Sequence, residues 1–148
     1  MPLHYASDTV AMGHSEHGPV VLIIDDEPLI CELFARALAA SGFFPVTAQT
    51  AEAALRLIEG GLHPNAILLD LVMPGMGGLG FLLQIRGNPS RNGIPVAIVT
   101  GNSVIPSALE RAATALDAEI HLKPLDIDAV LALTERLVET GSHDRTRL

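Results

Sequence analysis

The stretch Asn65-Ala-Ile-Leu-Leu-Asp70-Leu-Val-Met-Pro-Gly75 decides how this chain folds. Its apolar run, Ala66 to Leu69, meets a carboxylate and then breaks at Pro74 and Gly75. A continuous apolar segment bounded by turn residues suits a parallel strand covered on both faces, and ligands in such sheets gather outside the carboxyl ends of the strands. Asp70 falls at that end. The competing reading is an aspartate that merely caps the following loop, and the residues on either side must decide between them.

The same pattern recurs before and after this stretch. Val20-Val-Leu-Ile-Ile24 is an aliphatic run that stops abruptly at Asp25-Asp26-Glu27-Pro28, a strand followed by an acidic turn, with Pro28 placed to start a helix that runs to Ser41-Gly42. Phe43 to Ala48 reads as a strand interrupted by Pro45, which a sheet tolerates best at its edge. Thr50 is a good cap for a second helix, with Glu52 in its first turn, ending at Gly60-Gly61. Leu79, Leu82, Leu83 and Arg86 have helical spacing, Ile94 to Val99 is a fourth strand, and Ser103 to Ala115 a weaker helix broken early by Pro106. Glu119 to Leu122 is a short fifth strand, and Asp126 caps an amphipathic last helix that Gly141 is expected to end. Strand and helix alternate, which implies a parallel sheet with right-handed crossovers and helices on both faces, an α/β fold.

Composition limits the function. The chain's 148 residues suit one domain of ordinary size. Hydrophobic residues make up 49% and aromatics 3%, so the core is aliphatic. A net charge of −8 without a Lys/Arg cluster argues against direct nucleic-acid binding. Cys31 stands alone, so no internal disulfide or cysteine metal site is expected. There is neither a signal-like start nor a membrane-length apolar run, and a soluble, cytoplasmic protein with no membrane partner is expected. Residues 1–18 read as a disordered extension whose His4, His14 and His17 are solvated, with Met12 as an alternative start. The domain itself is expected over residues 19–140, with 141–148 a short polar tail.

The ends of the strands converge chemically. The first supplies Asp25 and Asp26, the third Asp70, the fourth Thr100 and the fifth Lys123, all on one rim. Lys123 is the sole lysine, the other eight cations being arginines. Three carboxylates near one point repel, so the rim must raise a pKa or recruit a cation. An all-oxygen donor set suits Mg²⁺ better than zinc. With such a cation and Lys123 drawing in a phosphate, Asp70 can act as a nucleophile and become an aspartyl phosphate.

At these residues the chain resembles the receiver domain of bacterial two-component response regulators. The motifs that carry the likeness are Ile24-Asp-Asp-Glu-Pro28, Leu69-Asp-Leu-Val-Met-Pro-Gly-Met-Gly-Gly-Leu79, Val99-Thr-Gly101 and Leu122-Lys-Pro124, over about residues 19 to 140. The resemblance implies a flavodoxin-like (βα)5 fold with strand order 2-1-3-4-5. It also implies Asp70 as phosphoacceptor, Asp25, Asp26 and Asp70 as Mg²⁺ ligands together with the Val72 backbone carbonyl, Thr100 as switch hydroxyl and Lys123 as phosphate-sensing cation. A histidine kinase or histidine phosphotransfer protein is the implied donor, and an unidentified output protein, or a second copy of the chain, the implied target. The expected type is a stand-alone receiver without a DNA-binding output domain, and not an enzyme beyond taking and losing its own phosphoryl group.

The sequence departs from the family pattern at two places. Ile120 stands where receivers usually carry Tyr or Phe, and alternation sends the nearest polar ring, His121, to the other face. Gly77 replaces the usual Asp or Asn, which leaves the loop after Asp70 expected to be mobile. Val72 and Asn102 occupy the positions that tune the life of the phosphoryl group, and Gly101 leaves room for a donor to approach. Competing readings are a receiver-like binding module that works without phosphorylation, an aspartyl-phosphate phosphohydrolase, disfavoured by Val72 in place of a second carboxylate, and a flavin or dinucleotide carrier. The last is disfavoured because Asp25-Asp26-Glu27-Pro28 replaces a glycine-rich phosphate cradle.

Overall fold

The computed structural model describes residues 18–101 and 105–146, with side chains described as far as Gly141. His4, His14, His17, Met12 and Asn102 lie outside the described residues, as do the ends of the two terminal segments. Strands β1 (Val20–Ile24), β2 (Phe44–Ala48), β3 (Ala66–Leu69), β4 (Val96–Thr100) and β5 (Ala118–Leu122) alternate with helices α1 (Pro28–Ala40), α2 (Ala51–Glu59), α3 (Gly77–Arg86), α4 (Ser107–Ala115) and α5 (Ile127–Thr146). The sheet is parallel throughout, in the order β2-β1-β3-β4-β5. This is the flavodoxin-like arrangement that the strand-end motifs imply.

Strict alternation along the strands divides the core in two. Leu22, Ile24, Ile67, Leu69, Val96 and Ile98 face α2, α3 and α4, where Ala54, Ile58, Phe81, Leu82, Ile85 and Ala113 cover them. Val21, Ile23, Ala66, Leu68, Ala97 and Val99 face α1 and α5, against Phe34, Leu38, Val130, Leu133 and Leu137. Burial on both sides explains why the inner strands read as unbroken aliphatic runs.

Pro45 lies in edge strand β2, as expected. Phe44 N–H donates to the Pro19 carbonyl, so the alternate residue Pro45 turns its ring nitrogen to the open edge, where no ladder donor is missed. The expected caps also form: Thr50 Oγ1 accepts from Ala53 N–H at 3.0 Å and Asp126 Oδ1 from Ala129 N–H at 2.7 Å.

Two expected boundaries move. Helix α4 begins at Ser107, leaving Ile105 and Pro106 outside it, because a proline ring disfavours helical geometry in the residue that precedes it; the expected start at Ser103 lies outside the described residues. Helix α5 continues past Gly141 to Thr146. Gly141 is a packing residue and not a stop: a Cβ there would lie 2.8 Å from Pro95 Cγ, so only hydrogen lets the helix rest against the start of β4. Among the described residues, no helix is long and apolar enough to cross a membrane.

Arg86, read from the sequence as one more residue of a helix face, closes the end of the sheet remote from Asp70. Its guanidinium donates to the carbonyls of Leu116 at 2.7 Å, Asn92 at 2.9 Å, Ile94 at 2.7 Å and Asp117 at 3.3 Å, joining α3 to the turns that enter β4 and β5. Burial draws its pKa below the ordinary arginine value, against the pull of Asp117. Replacing it by methionine keeps the aliphatic stem and leaves these carbonyls without their donors. Arg86→Met is expected to lose about 2 to 3 kcal/mol in urea unfolding followed by circular dichroism, whereas an unchanged midpoint would show that water replaces the guanidinium at no cost.

Candidate functional site

The sheet's hydrogen bonding continues one residue beyond its strands, and this delivers the polar groups. Asp25 N–H donates to the Ala48 carbonyl at 3.1 Å, Asp70 N–H to Ile24 at 2.8 Å and Lys123 N–H to Thr100 at 2.8 Å. Each residue leaves the ladder with its backbone still aligned to its neighbour. Asp25 and Asp70 therefore stand side by side after the paired strand ends Ile24 and Leu69.

The carboxylates of Asp25, Asp26 and Asp70 each present an oxygen within 4.8 Å of the others. Asp25 and Asp70 are buried, at 3% and 6% exposure, while Asp26 is open to solvent. Thr100, fully buried, lies at the bottom of a cleft of about 470 Å³ that Asp26, Glu27, Asp70 and Lys123 also line, with exposed Val72 on its lip. All five polar residues expected on one rim, and Val72 beside them, are brought together.

Lys123 Nζ donates to Asp25 Oδ2 at 2.7 Å and to Glu27 Oε1 at 3.3 Å. Burial works against its charge, but the hydrogen bond it donates to Asp25 and the charges of Asp25 and Asp70 outweigh that and raise its pKa. Asp70 is pushed up to about 6, first by burial and then by the charge of Asp25, with Lys123 and the Val72 N–H pulling the other way. That N–H lies 3.4 Å from Asp70 Oδ1, a weak contact.

The donor set is hard oxygen only, with no histidine or sulfur in the cluster, and two of its carboxylates are crowded and partly stripped of water. Such a set fits a divalent cation of the Mg²⁺ class, which tolerates few protein ligands and keeps its own water. Cys31 lies close by and donates its thiol to the Asp25 carbonyl at 3.3 Å, but burial and the Asp25 charge push its pKa to about 11, so it is an unreactive packing group.

The loop from Leu71 to Met76 is more constrained than its glycines suggest. Leu71 and Met73 are buried, and Gly78 N–H donates to the Leu71 carbonyl at 3.1 Å. A Cβ on Gly78 would meet the Asp70 carbonyl at 2.3 Å, so α3 can start this close to Asp70 only with glycine there. Gly77, at φ +76°, has open space around it, and its backbone conformation is one that favours glycine. The glycine-rich composition alone suggested a looser loop, because two buried apolar anchors just before Pro74 are not visible as a pattern in so short a segment.

Sequence reasoning did not single out Glu27 as a partner of Lys123 or Glu52 as a contact of this loop. Glu27 adjoins the aspartate pair and was open to suspicion. Glu52 lies far away in sequence and gave no signal. On β5, Ile120 packs partly buried against the α2–α4 side, while His121 Nε2 lies 2.7 Å from Glu119 Oε1 on the α5 side, as alternation requires. Arg136 of α5 holds Glu119 bidentately at 2.6 and 2.8 Å, which brings the carboxyl down to about 2.

The sequence profile of the response regulator receiver domain matches residues 21–135. The chain is 30% identical over 122 residues to the regulatory protein AtoC of Escherichia coli K12, covering 82% of this chain and 26% of that protein. It is 31% identical over 119 residues to the two-component response regulator ORR6 of rice, covering 79% of this chain and 69% of that one. A CheY-like receiver domain protein of Methanospirillum hungatei superposes with a TM-score of 0.76 at 23% identity, over 85% of this chain and 98% of that one. The chain thus spans about a quarter of the length of AtoC and most of ORR6.

The raised pKa of Asp70 has a consequence for stability. A carboxyl that holds its proton more tightly when folded contributes most below its ordinary value of 3.8, and that contribution is lost as the pH rises through about 6. In chelator-treated buffer the wild type is expected to lose up to about 3 kcal/mol of unfolding free energy across this window relative to Asp70→Asn. Parallel pH profiles for the two proteins would contradict the burial-driven shift.

Proposed function

Because the chain belongs to the response regulator receiver domain family, we propose that it is a phosphoacceptor module of a two-component phosphorelay, phosphorylated on Asp70. Receiver domains are signalling modules, and two-component signalling is the setting of this chain's relatives. The observation that carries the residue assignment is the meeting of Asp25, Asp26 and Asp70 within 4.8 Å beside the Lys123 ammonium, at the carboxyl end of a parallel sheet.

In this reading Asp70 attacks the phosphorus of an incoming phosphoryl donor. A P–O bond forms to its carboxylate, and the bond to the donor's histidine nitrogen, or to the leaving group of a small phosphodonor, breaks with its electron pair. Asp70, pushed towards about 6, is ionised at neutral pH and ready as a nucleophile. Asp25, Asp26 and Asp70, with the Val72 backbone carbonyl, would hold Mg²⁺, which when bound supplies positive charge against the phosphoryl oxygens.

Lys123, released from Asp25 and Glu27, pairs with a phosphoryl oxygen, and Thr100 donates its hydroxyl to another. Loss of the Lys123–Asp25 pair on phosphorylation is the local event that reports the new state. A histidine kinase or phosphotransfer protein supplies the phosphoryl group, the domain takes in the expected residues 19–140 and the rest of α5 to Thr146, and output passes to a partner protein. Turnover is confined to the protein's own phosphorylation and hydrolysis.

The test is incubation of the full chain with Mg²⁺ and acetyl phosphate followed by intact-mass measurement. Gain of one phosphoryl group, removable by hydroxylamine and absent from Asp70→Asn, is expected, with Lys123→Ala slower on the order of a hundredfold. An unmodified wild type, or an equal gain in Asp70→Asn, would refute the assignment.

A further inference from the structure

Glu52, in the first turn of α2, reaches across to the loop that follows Asp70. Its Oε2 accepts a hydrogen bond from Met76 N–H at 3.0 Å, a contact between residues 24 apart in sequence. The loop is shaped for it. Gly75 has φ +79°, and a Cβ on it would lie 2.9 Å from Glu52 Oε2 and 3.3 Å from Oε1, so any larger residue would push the carboxylate away. Thr50 caps the same helix through Ala53 N–H, which fixes the turn from which Glu52 projects.

The remaining restraints on this segment lie on its inner side. Leu71 and Met73 are buried, and Gly78 N–H holds the Leu71 carbonyl. Glu52 holds the outer side, on the far flank of Pro74, at the point where Gly75 and Gly77 would otherwise let the backbone swing. Val72 lies between buried Leu71 and Met73 and is itself 57% exposed, so little packing of its own side chain locates its backbone. The position of the Val72 peptide therefore depends on how its neighbours are held, and the Glu52–Met76 hydrogen bond fixes the stretch of loop that follows Met73.

We propose that Glu52 is a positioning residue for the phosphoacceptor site, holding the loop after Asp70 so that the Val72 peptide is presented to a divalent cation. The inference rests on the phosphoacceptor reading of the Asp25, Asp26 and Asp70 cluster. Glu52 touches neither the cation nor the phosphoryl group. It acts through the Met76 amide, and what it supplies is an acceptor oxygen at the right reach, not a charge at the site.

Three variants of the full chain separate reach from charge. Glu52→Gln keeps an acceptor oxygen at the same distance, Glu52→Asp keeps the charge but falls one methylene short, and Glu52→Ala removes both. The readouts are the Mg²⁺ dissociation constant by calorimetric titration and the hydrogen-exchange protection of the Met76 amide without metal, with thermal unfolding as a check on folding. Glu52→Gln is expected to match the wild type in both, while Glu52→Asp and Glu52→Ala lose Met76 protection and bind Mg²⁺ roughly three- to tenfold more weakly. Since Glu52→Asp and Glu52→Gln probe the idea independently, an alanine variant that fails to fold does not decide the matter. Equal Mg²⁺ affinity in all variants, or retention in Glu52→Asp with loss in Glu52→Gln, would overturn the positioning role. A wild type that does not bind Mg²⁺ would instead overturn the site reading on which this inference rests.

Discussion

Lys123 Nζ lies 2.7 Å from Asp25 Oδ2 at the carboxyl end of a sheet whose inner strands are aliphatic except for Thr100, and the polar half of this molecule depends on that contact. Asp25 and Asp70 are buried side by side, and two carboxylates in that setting repel each other and resent the loss of water. The ammonium group relieves both costs for Asp25 and part of them for Asp70. It is in turn kept charged by the same carboxylates, against the burial that works to neutralise it. The site is therefore poised: a new anion entering the cleft competes with Asp25 and Glu27 for the one lysine of the chain.

The two ends of the sheet divide the work. At the carboxyl end, loops leave the ladder carrying acids, a threonine and a lysine, and the backbone is brought close through Gly78. At the other end, Arg86 gathers main-chain carbonyls and Gly141 lets α5 settle against Pro95, so the chemistry there is that of closure. A guanidinium spent on main-chain carbonyls at one end and crowded carboxylates at the other reflect these different tasks. A guanidinium can satisfy several fixed carbonyls at once, whereas a cation site needs acids left partly unsatisfied.

Ile120 lies opposite Ile98 in the sheet, on the face that Ile98 shares with Thr100 two residues on. A branched aliphatic side chain fills this place by packing and has no ring to swing between an inward and an outward position. Residue 120 of this chain therefore offers no aromatic rotor beside Thr100. The polar groups of the same strand, Glu119 and His121, belong to the opposite face and are engaged with each other and with Arg136 of α5.

Local pattern alone determined most of the architecture. Aliphatic runs ending at Asp25, Asp70 and Thr100, helical spacing between them, Thr50 and Asp126 as caps and Pro45 at the edge are all short-range features, and the physics that reads them is short-range too. The meeting of Asp25, Asp26, Asp70, Thr100 and Lys123 was also legible, because a parallel sheet places every strand's carboxyl end on one rim whatever the details of packing. What only the tertiary structure decided were the contacts whose partners are distant and carry no periodic signal. Glu52 on the Met76 amide, Arg86 on carbonyls of two separate turns, and Gly141 against Pro95 each depend on how helices settle on the sheet. For Gly141 the local rule gave a helix stop where close packing required a gap for a neighbour. The reason is the same in each case: backbone amides and carbonyls look alike along a sequence, and which of them a side chain will meet is set by the packed layers, not by the residues beside it.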